Sequence, residues 1–195
     1  LLFCVATTII CQEANEEQLV DVAKLDSSII LDLRYATENN VTGKKIYPVA
    51  RCLLVKKAAA AIVRVHKKLQ NQGLSIKIFD AYRPLSCQKI LWEIMPDERY
   101  VANPKKGSRH NRGCAVDITL YDLKTGIPLV MPSEFDDFSE KAHRDNSDVA
   151  PEAKKNSQFL EKIMAEEGFQ GLPTEWWHYD YQEWQKYPLL DTPLE

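Results

Sequence analysis

Hydrophobic positions along the chain alternate between two periods. In KKAAAAIVRVHKKLQNQ, residues 56–72, Ala58, Ile62, Val65 and Leu69 recur at helical spacing, and Gly73 supplies a stop. LSIKIFD follows with Leu74, Ile76 and Ile78 alternating against Ser75 and Lys77, the pattern of a half-buried strand that ends at Asp80. Pro84 suits the first turn of a second helix running to about Met95, where Pro96 stops it. In AVDITL, residues 115–120, a strand sends Asp117 to the face opposite Val116, Ile118 and Leu120. A turn around Thr125-Gly126 leads to another short strand, and a polar, acidic stretch spans 133–149. A third helix is predicted from about Pro151 to Glu167, with Phe159, Leu160 and Ile163 on its apolar stripe and Gly168 as its stop, and EWWHYDY, 175–181, is the predicted last strand.

This mixture lacks a regular βαβ rhythm, so the expected class is α+β, one compact domain with a mainly antiparallel sheet flanked by helices. A length of 195 residues, 45% of them hydrophobic and 27% charged, fits one soluble domain. No repeat, low-complexity tract or Gly/Ser linker divides it.

The first ten residues, LLFCVATTII, are uncharged, and acids arrive at once in QEANEEQ. Residues 1–12 read as the remnant of a secretory leader, which would make the protein periplasmic or otherwise extracytoplasmic. The alternatives are a buried N-terminal strand and a cytoplasmic protein. A span of about 20 apolar residues is lacking, so stable membrane insertion is not expected. Ile10 is bulkier than the small residue preferred before a lipid-bearing cysteine such as Cys11. The formal charge of -3 and scattered Lys and Arg residues give no basic field for nucleic acid. The five cysteines have no ligand-like spacing; Cys52, Cys87 and Cys114 read as small packed hydrophobes.

Candidate chemistry gathers in three segments. In SRHNRGCAVD, a loop-borne His110 precedes a strand-borne Asp117, and such a pair can converge on one metal, because catalytic zinc takes nitrogen and oxygen ligands, three of them from protein. In EWWHYDY, His178 offers a third ligand and Glu175 a general base among water-excluding aromatics. The alternative is aromatic core packing with a satisfied histidine and a surface glutamate. Positions three apart face opposite sides of a regular strand, so Glu175 and His178 share a site only across a turn or a distorted strand start. In IFDAYRPLS, Arg83 can clamp a carboxylate or stabilise an oxyanion, or simply pair with Asp80 at the surface. His66, flanked by Lys67 and Lys68, reads as an exposed helix residue, and His143 is ambiguous.

SRHNRGCAVD resembles the SxHxxGxAxD signature of the D-Ala-D-Ala metallopeptidases, and EWWH resembles their ExWH signature. LRYATENNVTGKKIY, ARCLL, DAYRP, FDDF and EWWHY resemble, within that group, the D-alanyl-D-alanine dipeptidases of the vancomycin-resistance type, over residues 19–181. The resemblance implies one Zn2+ in a cleft, held by His110, Asp117 and His178. It implies that Glu175 activates the water and protonates the leaving amine, and that Arg83 stabilises the oxyanion. Ser108, Tyr35 and Asp136 would line the pocket of a small D,D-dipeptide, with Asp136 meeting its ammonium group. The alternative on the same fold is a D,D-carboxypeptidase that trims peptidoglycan stem peptides.

Overall fold

The computed structural model describes residues 18–195. The apolar segment 1–12, with Cys4 and Cys11, lies outside the described residues. Among those residues no helix is long and apolar enough to cross a membrane.

The chain opens with β1 (Leu19–Asp21), a short α1 (Val22–Leu25) and β2 (Ile30–Leu31), then reaches β3 (Leu53–Val55), α2 (Lys56–Gln70), β4 (Leu74–Asp80) and α3 (Leu85–Ile94). After a long connection come β5 (Ala115–Asp122), β6 (Ile127–Pro128), α4 (Pro151–Ala165), β7 (Phe169–Leu172) and β8 (Glu175–Tyr181). The main sheet has the order β2-β4-β5-β8-β7, with β6 paired to β5. Only β2 and β4 run parallel. The α+β class with a mainly antiparallel sheet therefore holds. β1 and β3 form a separate antiparallel pair.

The alternation in β5 builds the molecule's two sides. Val116, Ile118 and Leu120 are fully buried in the main core with Ile62, Val65 and Leu69 of α2 and Leu160, Ile163 and Met164 of α4. Fully burying one such aliphatic side chain contributes about 1.5–3 kcal/mol, so this helix-covered face fixes the strand's orientation. Asp117 and Thr119 are thereby turned to the opposite side, where they too are buried. That side carries a cluster around Tyr35, Tyr47 and Tyr82 and another around Phe79, Trp176 and Trp177.

His66 is not an exposed helix residue. It is fully buried, with Nε2 2.9 Å from Ser28 Oγ and Nδ1 3.2 Å from Ser75 Oγ. Positions 62, 65, 66 and 69 form one helical stripe, so His66 shares the core face of Ile62, Val65 and Leu69 whatever Lys67 and Lys68 do beside it. Burial disfavours its charged form and lowers its pKa. Cys52, Cys87 and Cys114 are buried free thiols.

Two departures from regular backbone prepare the site. The first is between β7 and β8, where Gly171 pairs with Tyr179 but Leu172 pairs with Glu175: one step along β7 spans four along β8. Trp176, Trp177 and His178 stand opposite no residue of β7, a bulge larger than the common single-residue kind. The second is Gly113, at φ 64°, which closes the 3-10 turn His110–Arg112 by donating its N–H to the His110 carbonyl at 3.1 Å. A Cβ there would lie 2.5 Å from Leu19 Cδ2 and 3.2 Å from the Val55 nitrogen.

Gly113→Ala should accordingly destabilise the protein by about 2–3 kcal/mol, from left-handed backbone strain plus the clash. Denaturant unfolding reads this directly, and a loss below about 0.5 kcal/mol would show that the turn relaxes freely.

Candidate active site

The 3-10 turn and strands β5 and β8 deliver His110, Asp117 and His178 to one point. Asp117 and His178 are direct cross-strand partners. The metal-facing atoms are His110 Nε2, the Asp117 carboxylate and His178 Nδ1. His110 Nε2 lies 3.3 Å from His178 Nδ1 and 3.5 Å from Asp117 Oδ2, and His178 Nδ1 lies 3.0 Å from Asp117 Oδ1. Zinc bonds of about 2.0–2.1 Å at tetrahedral angles place ligand atoms about 3.3 Å apart, and these separations bracket that figure. Among the described residues, this is the one group of three His, Cys, Asp or Glu side chains that converges closely enough to hold a metal ion.

The hydrogen bonds on the far sides of both rings decide what the near sides offer. His110 Nδ1 is 2.7 Å from the carbonyl oxygen of Ala81, which only accepts, so Nδ1 carries the proton. His178 Nε2 is 2.9 Å from Asp180 Oδ1, again an acceptor. In these neutral tautomers, His110 Nε2 and His178 Nδ1 turn bare lone pairs toward each other and toward a carboxylate. Such a set repels itself unless a cation joins it, and the residues present therefore fit a divalent metal. Burial works against the charged form of His178, yet hydrogen bonds to Asp117 and Asp180 hold its pKa well above the usual imidazole range. Asp180 is the member that sequence reasoning missed. Its signal was available, since positions 178 and 180 share a strand face.

Glu175 sits at the start of β8, where the bulge carries it to the same side as His178, with Oε2 3.8 Å from His178 Nδ1. Its side chain is mostly buried, and burial raises its pKa. The distorted strand start expected from the three-residue spacing is thus realised. The aromatic packing also exists: Trp177 is buried against Phe135 at 5.5 Å between ring centroids, with Trp176 at the same distance.

Arg83 is no surface partner of Asp80, which is fully buried. Its Nη2 donates to Asp80 Oδ2 at 2.6 Å, Nη1 to Gln88 Oε1 at 3.0 Å and Nε to Tyr47 Oη at 3.1 Å. A guanidinium has five N–H groups, so two stay unused by these bonds. Asp80, together with Tyr47 and Gln88, which the sequence does not point to as its partners, holds it rigid in the cavity wall.

Tyr35, Arg83, Ser108, His110, Asp117, Asp136, Glu175 and His178 all line one cavity of about 300 Å3. That volume lies at the small end of ligand pockets. Ser108 helps shape the turn, its Oγ accepting from the His110 N–H at 3.2 Å. Asp136 accepts a hydrogen bond from Tyr35 Oη at 3.0 Å and, at φ 61°, is the only non-glycine residue with positive φ among the described residues. Burial, reinforced by the charge of Asp117, pushes its pKa up to about 8. Strained backbone and a disfavoured buried carboxylate in one residue mark a position whose stability is given up for a local purpose.

A family model described as D-ala-D-ala dipeptidase matches residues 15–191. The chain belongs to that family. It is 42% identical over 177 residues to the D-alanyl-D-alanine dipeptidase of Escherichia coli, covering 91% of each. It is 33% identical over 168 residues to the enzyme of that name from Enterococcus faecalis, covering 76% of this chain and 83% of that one. Among solved structures it is similar to a vancomycin-resistance D,D-pentapeptidase in complex with Zn(II), at 14% identity and a TM-score of 0.44, covering 71% of this chain and 78% of that one. The family is one of metallopeptidases, and this chain is an enzyme of that kind.

Asp180→Asn should weaken zinc binding about 10- to 100-fold, the usual effect of losing a carboxylate that orients a ligating histidine. Competition with a chromophoric chelator measures it, and an unchanged affinity would remove Asp180 from the metal site's support.

Proposed function

We propose that this dipeptidase-family enzyme hydrolyses D-alanyl-D-alanine to two D-alanines, using zinc held by His110, Asp117 and His178. The observation that carries this reading is the meeting of those three side chains with Glu175, Arg83 and Asp136 in one small cavity. Zinc bound there supplies Lewis acidity, polarising the scissile carbonyl and lowering the pKa of water. Glu175, its basicity raised by burial, accepts the proton of the attacking water and passes it to the leaving amine. As the water oxygen bonds to the carbonyl carbon, Arg83 offers its free N–H groups to the developing oxyanion, already aimed by Asp80, Tyr47 and Gln88. Cleavage of the C–N bond then releases two amino acids.

Asp136 gives the reaction its preference for a dipeptide. A carboxylate disfavoured by burial regains stability when an ammonium group pairs with it, and the amide nitrogen of a longer peptide carries no such charge. Tyr35 fixes its orientation and Ser108 lines the same cavity.

With zinc present, D-Ala-D-Ala should be cleaved and a peptidoglycan stem pentapeptide spared, and a chelator should abolish turnover. Rapid cleavage of the pentapeptide alone would make the enzyme a D,D-carboxypeptidase instead. Glu175→Ala should lower kcat about 1000-fold while retaining zinc, the scale of a lost general base. A zinc-replete, active variant would take that role from Glu175. Asp136→Asn should raise KM for D-Ala-D-Ala about 10- to 100-fold, as expected for a lost charge-assisted bond, and a parental KM would show the ammonium group binds elsewhere.

A further inference from the structure

The bulge in β8 has a side chain in place of the missing stretch of β7. Arg144, from the polar segment before α4, donates Nε–H to the Leu172 carbonyl at 2.8 Å and Nη2–H to the carbonyls of Trp176 and His178, both at 3.0 Å. Its Nη1 reaches Tyr179 Oη at 3.2 Å and lies 3.8 Å from Glu161 Oε2. Its own backbone N–H bonds to the Pro173 carbonyl at 2.9 Å. The guanidinium lies 4.5 Å from the Tyr179 ring centroid, and its side chain is only 11% exposed. It also packs directly on Gly171, where a Cβ would come 2.4 Å from Cζ, 2.5 Å from Nε and 2.6 Å from Nη2.

We propose that Arg144 is a positioning residue for catalysis: its planar fork fixes the excursion of β8 that turns Glu175 and His178 into one cavity. The inference rests on the reading of Glu175 as base and His178 as metal ligand. A regular antiparallel register would continue from Gly171↔Tyr179 to Leu172↔His178, and Glu175 and His178 would then face opposite sides. The bulge has to persist against that alternative, and the carbonyls it redirects need donors. Arg144 supplies three donors in fixed relative geometry to carbonyls on both sides of Glu175 and at His178 itself. Lysine carries a point charge on a flexible stem and does not reproduce that fork. Gly171 is the matching requirement on β7, since any side chain there occupies the space of the guanidinium.

The test uses Arg144→Ala, Arg144→Lys and Gly171→Ala in the full chain, each measured well below its own Tm. Gly171→Ala keeps the arginine and only pushes the far end of a flexible side chain, so it keeps the fold even where Arg144→Ala fails to fold. Three quantities are read: zinc affinity by chelator competition, amide hydrogen exchange across 172–181, and kcat and KM on D-Ala-D-Ala at saturating zinc. All three variants should lose about 100-fold in kcat with little change in KM, as for a catalytic group misplaced by an ångström. Zinc affinity should fall about 10-fold, and faster exchange should be confined to 172–181. Ethylguanidinium should restore part of the kcat of Arg144→Ala. Parental kcat, zinc affinity and exchange in Gly171→Ala and Arg144→Lys would overturn the proposal, as would a lowered Tm alone. If the parent fails to cleave D-Ala-D-Ala, the substrate reading falls, and zinc affinity and exchange still decide the role of Arg144.

Discussion

The site depends on one electrostatic constraint: two imidazole lone pairs and a carboxylate are held within about hydrogen-bond distance of one another with no proton between them in the neutral tautomers. Left alone, such a cluster recruits a proton, and the raised pKa of His178 expresses that demand. A divalent cation meets it better, because it satisfies all three donors at once. The surrounding structure keeps the donors bare. The Ala81 carbonyl takes the proton of His110 Nδ1, and Asp180 takes that of His178 Nε2, so neither ring can turn its N–H inward without leaving a buried acceptor unpaired.

The same logic extends to the charged groups of the wall. Asp80 and Arg83 form an ion pair with one partner fully buried, and such a pair is tolerable when hydrogen bonds satisfy what remains. Tyr47 bonds to both, donating to Asp80 Oδ1 at 2.7 Å and accepting from Arg83 Nε. Gln88 carries the chain onward, bonding Arg83 through one amide atom and the Ala102 carbonyl through the other. The guanidinium is thus held in one orientation, the preorganisation under which a hydrogen-bond donor best stabilises charge.

How much of this was legible in the sequence follows from how local each feature is. The strand 115–122 could be read because the alternation of Val116, Ile118 and Leu120 against Asp117 is a property of consecutive residues. The helices at 56–70 and 151–165 and the strands at 74–80 and 175–181 have the same character. The strands β1, β2 and β3 are not legible, since strands of two or three residues carry no period and owe their existence to partners far along the chain. The burial of His66 follows from its helical stripe with Ile62, Val65 and Leu69 and not from its charged neighbours Lys67 and Lys68. Asp180 shares the strand face of His178 by the two-residue period, a local property that sequence carries. All eight candidate residues line one cavity, whereas Gln88, which holds Arg83, and Arg144, which bonds the β8 bulge, lie in segments with no signature.

The spacing of Glu175 and His178 shows why a motif can be readable while its geometry is not. Three residues apart on a strand is a contradiction that sequence can expose but only tertiary structure can resolve. The resolution here inserts Trp176, Trp177 and His178 against no partner on β7, which costs ladder hydrogen bonds and buries two indoles. The indoles recover part of that cost by packing on Phe135 and on each other, and the Trp176 Nε1–H finds Ser133 Oγ at 3.0 Å. The aromatic pair between the two functional residues is therefore the hydrophobic filling that lets the strand leave its register, and Glu-x-x-His can face one cavity only where such filling is supplied.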